Sequence, residues 1–189
     1  MLSEKVKELI KKSRIVSLDW QDYPESAVAI FQQADDEGRY LTEIDIDRLQ
    51  QKLPNLATGL ERGKVLRDNV NEIITNARAM VLDANPGITE PGGGLYPPMR
   101  AEACWRDFWH FLRCISYGVS GQRHDYLSDR GLGYMEQLYQ ELEVPLEAMV
   151  LGLEQLKIFS LRYFDSEQHE LEPYFDRLIE SMRSFSAVK

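Results

Sequence analysis

Residues 91–121 read PGGGLYPPMRAEACWRDFWHFLRCISYGVSG. The opening is dense in Gly and Pro, which together forbid a continuous helix. From Met99 the pattern changes. Apolar and aromatic side chains recur at spacings of three and four until Gly121 supplies a stop, which predicts a helix over 99–119. At 100° per residue, Cys104, Asp107, Phe108, Phe111 and Ile115 share one face of that helix, and Arg106 lies on its flank. A constrained loop that feeds a helix bearing a thiol, a cation and a carboxylate reads as the rim of a pocket.

Working outward, the neighbouring segments are helical too. Residues 58–84 carry Leu66, Val70, Ile73, Ile74, Ala77 and Val81 at helical spacing and predict one long helix, ended by Asn85-Pro86-Gly87. Before it, Thr42 with Asp45 three residues on has a capping-box pattern; Ile44, Ile46, Leu49 and Leu53 supply the apolar side and Pro54 the stop. Residues 25–37 read as a helix with Val28, Phe31 and Ala34 on one face, closed by Gly38. Residues 15–24 have no period and read as a connection. Downstream, helices are expected over 125–142, from Pro145 to about Phe164, and over 171–185. There is no strand pattern and no internal repeat. The chain reads as all-α with six to eight helices: an N-terminal amphipathic extension over 1–24 and a single domain over 25–189.

Composition narrows the function. Against 22 basic side chains stand 31 acidic ones, a formal charge of −9, which argues against a nucleic-acid partner. Cys104 and Cys114 are ten residues apart on one helix, roughly 15 Å at about 1.5 Å per residue, too far for a disulfide. Free thiols suit a reducing compartment. No apolar run approaches the roughly 20 residues of a membrane span, and MLSEKVKELIKKSR has no signal-peptide core, so a cytoplasmic location is expected. Residues 2–14 are the one basic segment. Leu2, Val6, Leu9 and Ile10 share a face, with Lys5, Lys7, Lys11, Lys12 and Arg14 around them. The segment reads as a helix packed on its own domain, with docking on a partner or on anionic lipid as the alternative. Gly92-Gly93-Gly94 lacks the Gly-Lys-Ser/Thr of a phosphate loop, and neither metal-ligand spacing nor a Gly-x-Ser-x-Gly element occurs.

The chemistry available at Cys104 is specific. A thiol can add to a vinyl or ethylidene group and leave a stable thioether. A carboxylate one turn away can accept hydrogen bonds from several pyrrole N–H groups at once. An arginine can grip a propionate with two hydrogen bonds. Trp105, Phe108, Trp109 and Phe111 could keep such a ligand extended and dry. Buried cysteines more often only pack, and spacing alone leaves both readings open.

Residues 91–121 resemble the chromophore helix of the phycobiliproteins, most of all that of the allophycocyanin subunits. The resemblance rests on Pro91-Gly92-Gly93, Tyr96, Cys104-Trp105-Arg106-Asp107, Leu112-Arg113, Ser116-Tyr117 and Gly121. It extends in order over residues 34–182, through Ala34-Asp35 to Arg39-Tyr40-Leu41, Leu142 to Lys157, and Pro173-Tyr174-Phe175-Asp176. It implies a globin-like fold with N-terminal helices for dimerisation, and phycocyanobilin or a related linear tetrapyrrole joined to Cys104. Arg106 would hold a propionate and Asp107 the pyrrole nitrogens, with Phe108, Phe111 and Tyr117 completing the site. Asp35, Tyr40 and Arg113 would pair one subunit with another, either a second copy or a different phycobiliprotein, as a dimer or a larger ring. The implied role is light harvesting and excitation-energy transfer in or near the phycobilisome, at the cytoplasmic face of the thylakoid, without enzymatic turnover.

Departures lie at Gly94, at His110 and Phe111 where allophycocyanins place two tyrosines, at the heavy Trp105 and Trp109, and in the N-terminal extension, through which the core or the membrane could be reached. They point to a divergent allophycocyanin-like paralogue. The alternatives are a photosensory or bilin-handling protein outside the antenna, and a pigment-free docking protein. The intact Cys104/Arg106/Asp107 set counts against the last.

Overall fold

A computed structural model describes residues 2–186. Nine α-helices occur among them: α1 (Glu4–Lys12), α2 (Glu25–Asp36), α3 (Glu43–Lys52), α4 (Ala57–Asp68), α5 (Val70–Ala84), α6 (Pro98–Ser120), α7 (Asp129–Glu141), α8 (Leu146–Leu161) and α9 (Gln168–Arg183). Single 3-10 turns at Pro54–Leu56 and Asp165–Glu167 join them. Among the described residues the one β feature is an isolated bridge between Val16 and Leu127. The all-α expectation holds, but one helix more forms than expected. Residues 58–84 are not continuous, because Asn69 ends α4: its backbone N–H and its side-chain amide both donate to the Val65 carbonyl, at 3.2 and 2.8 Å. An amide side chain that competes for a backbone acceptor terminates a helix even where the apolar pattern runs on.

Local signals elsewhere act as their chemistry dictates. Thr42 caps α3 by accepting from the Asp45 N–H at 3.2 Å, and the Asp45 carboxylate accepts from the Thr42 N–H at 2.9 Å. The apolar side of α3 is narrower than expected. Ile46 and Leu49 are buried, but Ile44 is 63% exposed, because it sits one residue off the inward stripe. The expected helix over 125–142 begins only at Asp129, where the Ser128 hydroxyl accepts from the Gly131 N–H at 3.1 Å. Residues 126–128 are instead tied to the N-terminal segment: Ser17 N–H donates to the Tyr126 carbonyl, and Ser128 N–H to the Ile15 carbonyl, both at 2.8 Å.

The long α6 is the axis of the molecule, packed by α4, α5, α8 and α9. Its second half is buried without a break from Phe111 to Gly121. Gly59 brings α4 close; a Cβ there would stand 2.6 Å from the Val119 carbonyl oxygen. Phe108 is fully buried, and cutting such a side chain to Ala removes about 3–5 kcal/mol of stability. Ile15 and Trp20 belong to this main core, Trp20 lying edge-on to Phe31 with centroids 5.0 Å apart. A smaller cluster joins Val6 and Leu9 of α1 to Leu138 of α7. Among the described residues, no helix is long and apolar enough to cross a membrane.

Candidate functional site

One stripe of α6 (Ala103, Cys104, Arg106, Asp107, His110, Phe111, Cys114) forms the inner wall of a cavity of about 710 Å³. Met135, Leu138 and Tyr139 of α7 and Met149 of α8 form a second side; Leu2, Ile10 and residues 13–15 lie on the outer side. The volume is within the range of about 300–1,000 Å³ typical of small-molecule sites.

Cys104 is 4% exposed and its Sγ lies 3.1 Å from Met149 Sδ. Burial, helped by the neighbouring Asp107 charge, pushes its thiol up to about 12. Asp107 is pushed up to about 6, again by burial, against the opposing effects of the Tyr139 hydroxyl and of Arg106. Tyr139 donates to Asp107 Oδ2 at 3.2 Å, and no other side chain among the described residues donates to the carboxylate. Asp107 is therefore an acceptor with spare capacity, ionised at neutral pH. His110 goes the other way. Burial, then Arg113 and Arg106, lower it to about 4, so the ring is neutral, and its Nδ1 accepts from Arg113 Nε at 3.3 Å.

The cations sort into two kinds. Arg113 pairs with Asp35 at 2.9 Å, and Arg14 pairs with Asp35 and, at 2.7 Å, with Asp36. Arg106 forms no ion pair among the described residues, and Arg100 donates only to backbone carbonyls, Gly94 at 3.0 Å and Glu143 at 2.7 Å. Two guanidiniums thus face the cavity without a carboxylate of their own. A wall thiol, a half-satisfied carboxylate and two uncompensated arginines fit an elongated ligand that carries N–H donors and carboxylates. No group of residues among those described could hold a metal ion.

Of the expected ligand contacts, Cys104, Arg106, Asp107 and Phe111 meet at the cavity; Phe108 and Tyr117 do not. Phe108 points to the core side of α6, where its ring occupies the space a Cβ on Gly152 would need. Tyr117 lies two turns farther along, donating to the Arg39 carbonyl and accepting from Arg113 at 2.8 Å. Trp105 and Trp109 also stand off the cavity, Trp105 under the Arg78 guanidinium and Trp109 edge-on to Tyr40 at 4.9 Å. The residues expected to pair subunits find partners within the chain: Asp35 with Arg113, and the Tyr40 hydroxyl with the Trp109 carbonyl at 3.2 Å. Arg100 was not singled out in the sequence, and Tyr139 and Met149 read there only as inward-facing helix positions, not as site residues. Arg100 had a signal, four residues before Cys104 on the same face; Tyr139 and Met149 come from other helices, and an inward position does not say which cavity it faces.

The sequence pattern of the family described as "Phycobilisome protein" matches residues 29–182. The chain is 30% identical over 151 residues to the allophycocyanin subunit alpha-B of Synechocystis sp., covering 79% of this chain and 94% of that protein. It is 32% identical over 154 residues to the allophycocyanin subunit alpha-B of Nostoc sp., with 79% and 94% covered. To the C-phycocyanin beta chain of Aglaothamnion neglectum it is 29% identical over 161 residues, with 79% and 94% covered.

Proposed function

The chain belongs to the phycobilisome protein family, and we propose that it carries a linear tetrapyrrole, phycocyanobilin or a close relative, as a thioether on Cys104. The observation that carries this reading is the meeting of Cys104, Arg106 and Asp107 on one wall of a cavity large enough for such a ligand. The bound group supplies absorption of visible light and an ethylidene carbon to which a thiol adds with no leaving group. The chain supplies the rest. Asp107, ionised at neutral pH and with acceptor capacity to spare, accepts from the pyrrole N–H groups and favours their fully protonated, cationic form. Arg106 holds a propionate. Phe111 and the apolar walls from α7 and α8 exclude water and restrict twisting.

In this reading the protein absorbs light and passes excitation in or near the phycobilisome, on the cytoplasmic side of the thylakoid, without turnover. Its partners are other phycobiliprotein subunits or a second copy of itself. A second reading, a bilin-binding photosensory or bilin-handling role outside the antenna, is favoured by one feature. Asp35, Tyr40 and Arg113 are satisfied within one chain, which leaves less to offer a neighbouring subunit.

Co-expression with a bilin supply and a lyase tests the first step. A zinc-fluorescent band at the mass of the chain on a denaturing gel is the expected result, and a colourless chain would sink it. Co-sedimentation with isolated phycobilisomes then separates the two roles: antenna membership expects the protein in the heavy fractions.

A further inference from the structure

We infer that the N-terminal segment is part of the ligand site: residues 2–15, with α1 at their centre, form its outer wall, and Leu2 and Ile10 lie against the bound tetrapyrrole. The inference rests on the tetrapyrrole reading of the cavity and adds a contact outside residues 29–182, the stretch that matches the family.

Three large apolar side chains are left in water around one opening. Leu2 is 50% exposed, Ile10 48% and Met99 75%, and all three line the cavity. Apolar surface gathered at a cavity mouth is covered when an apolar ligand enters. The N-terminal wall that carries Leu2 and Ile10 is anchored. Val6 and Leu9 bury against Leu138, Lys5 pairs with Glu141, and Lys12 sits over the Tyr134 ring at 5.4 Å. Beyond α1 the chain is sewn to the α6–α7 junction by the Val16–Leu127 bridge and its flanking hydrogen bonds. Gly131 permits that seam, since a Cβ there would come 1.8 Å from the Arg14 carbonyl oxygen. The occupant that fits has an apolar conjugated body, to meet Leu2, Ile10 and Met99, and carboxylates, to meet Arg100 and Arg106 on the facing wall. Leu2 and Ile10 are also the residues an interfacial helix would insert into lipid, but they face the cavity, which sets this proposal against the membrane-docking alternative.

The test compares the wild-type chain, Leu2→Asp/Ile10→Asp, and the outward control Lys11→Asp, each prepared with and without bilin. Both apolar sites are half exposed, so the double variant should fold. Hydrogen exchange over residues 4–12 should slow about tenfold on loading in the wild type and the control, and change little in the double variant. Acrylamide should quench the pigment of the double variant at least about twofold more strongly than that of the control, with the covalent band intact. Equal exchange in the loaded and unloaded wild type, or equal quenching in all three proteins, would overturn the inference while leaving the Cys104 thioether standing. Absence of the covalent band from the wild type overturns both. Co-sedimentation of the loaded wild type with anionic vesicles, lost in the double variant, would assign Leu2 and Ile10 to a membrane instead.

Discussion

The two halves of α6 carry nearly the same chemistry and put it to opposite ends. Near its start are Cys104, Arg106 and Asp107; near its middle are Arg113 and Cys114, with Asp35 brought across from α2. Both thiols are pushed up to about 12 by burial. The difference lies in satisfaction. Arg113 spends its donors on Asp35, Tyr117 and His110, and burial does not prevent its charge because those partners hold it. Among the described residues Arg106 has no such partner, and Asp107 receives one hydrogen bond, from Tyr139. Both cysteines line the cavity, but Cys114 sits beside a closed polar network and Cys104 beside open valences, and that is why Cys104 is the one proposed to take the ligand. Residue type cannot make that distinction, but the completeness of the hydrogen bonds can.

The sharpest way to break the comparison is to remove each sulfur. Cys104→Ala should abolish covalent loading and Cys114→Ala should leave it intact, read by zinc fluorescence; the reverse pattern would exchange the roles of the two halves. Next in size is Asp35→Ala. It leaves Arg113 buried without its carboxylate and should cost about 3–5 kcal/mol in urea unfolding, whereas Arg106→Ala should change stability by less than about 0.5 kcal/mol and alter only the loaded protein's spectrum.

A smaller effect tests the open valence at Asp107. Its carboxyl rises from 3.8 to about 6 on folding, so the folded chain holds more protons in that window and apo-protein stability falls as pH rises through it. Asp107→Asn should therefore stabilise the unloaded protein by about 1–2 kcal/mol near pH 8, and by nothing below about pH 4. In the loaded protein the same change should weaken the absorption of the protonated pigment.

The smallest effect is at His110, which drops from 6.5 to about 4. Here the unfolded chain holds more protons, so stability present above pH 6.5 is lost as pH falls towards 4, opposing the Asp107 trend over the shared range. His110→Phe should remove about 1 kcal/mol of that acid sensitivity, after allowance for its partial exposure, in unfolding titrations from pH 7 to 4. An unchanged acid slope would mean that His110 does not carry it.

Much of the fold was legible because local and global signals agree. Thr42 and Asp45 form their capping box, and the α6 pattern marks a helix within a residue or two of its true ends. The break at Asn69 was missed because it depends on one side chain reaching back to Val65, beneath an apolar period that never falters. The candidate site was legible where it lies on one helix, at Cys104, Arg106 and Asp107, which the fold brings to one cavity wall. It was not where depth along the helix decides the outcome, as with Phe108, whose face is shared with Cys104 only up to the point where Gly152 takes its ring. Nor could helical spacing show that Asp35 and Arg113, so distant in sequence, close on each other in one chain.

The depth of Cys104 has a consequence for the unloaded protein. Burial pushes its thiol up to about 12, which leaves almost none of it ionised at neutral pH, and thiolates, not thiols, are what peroxides convert to sulfenic acid. The burial that makes Cys104 a reluctant nucleophile therefore also gives it a long chemical shelf life. On the proposed thioether reading, a chain that waits for its pigment keeps that sulfur unspent.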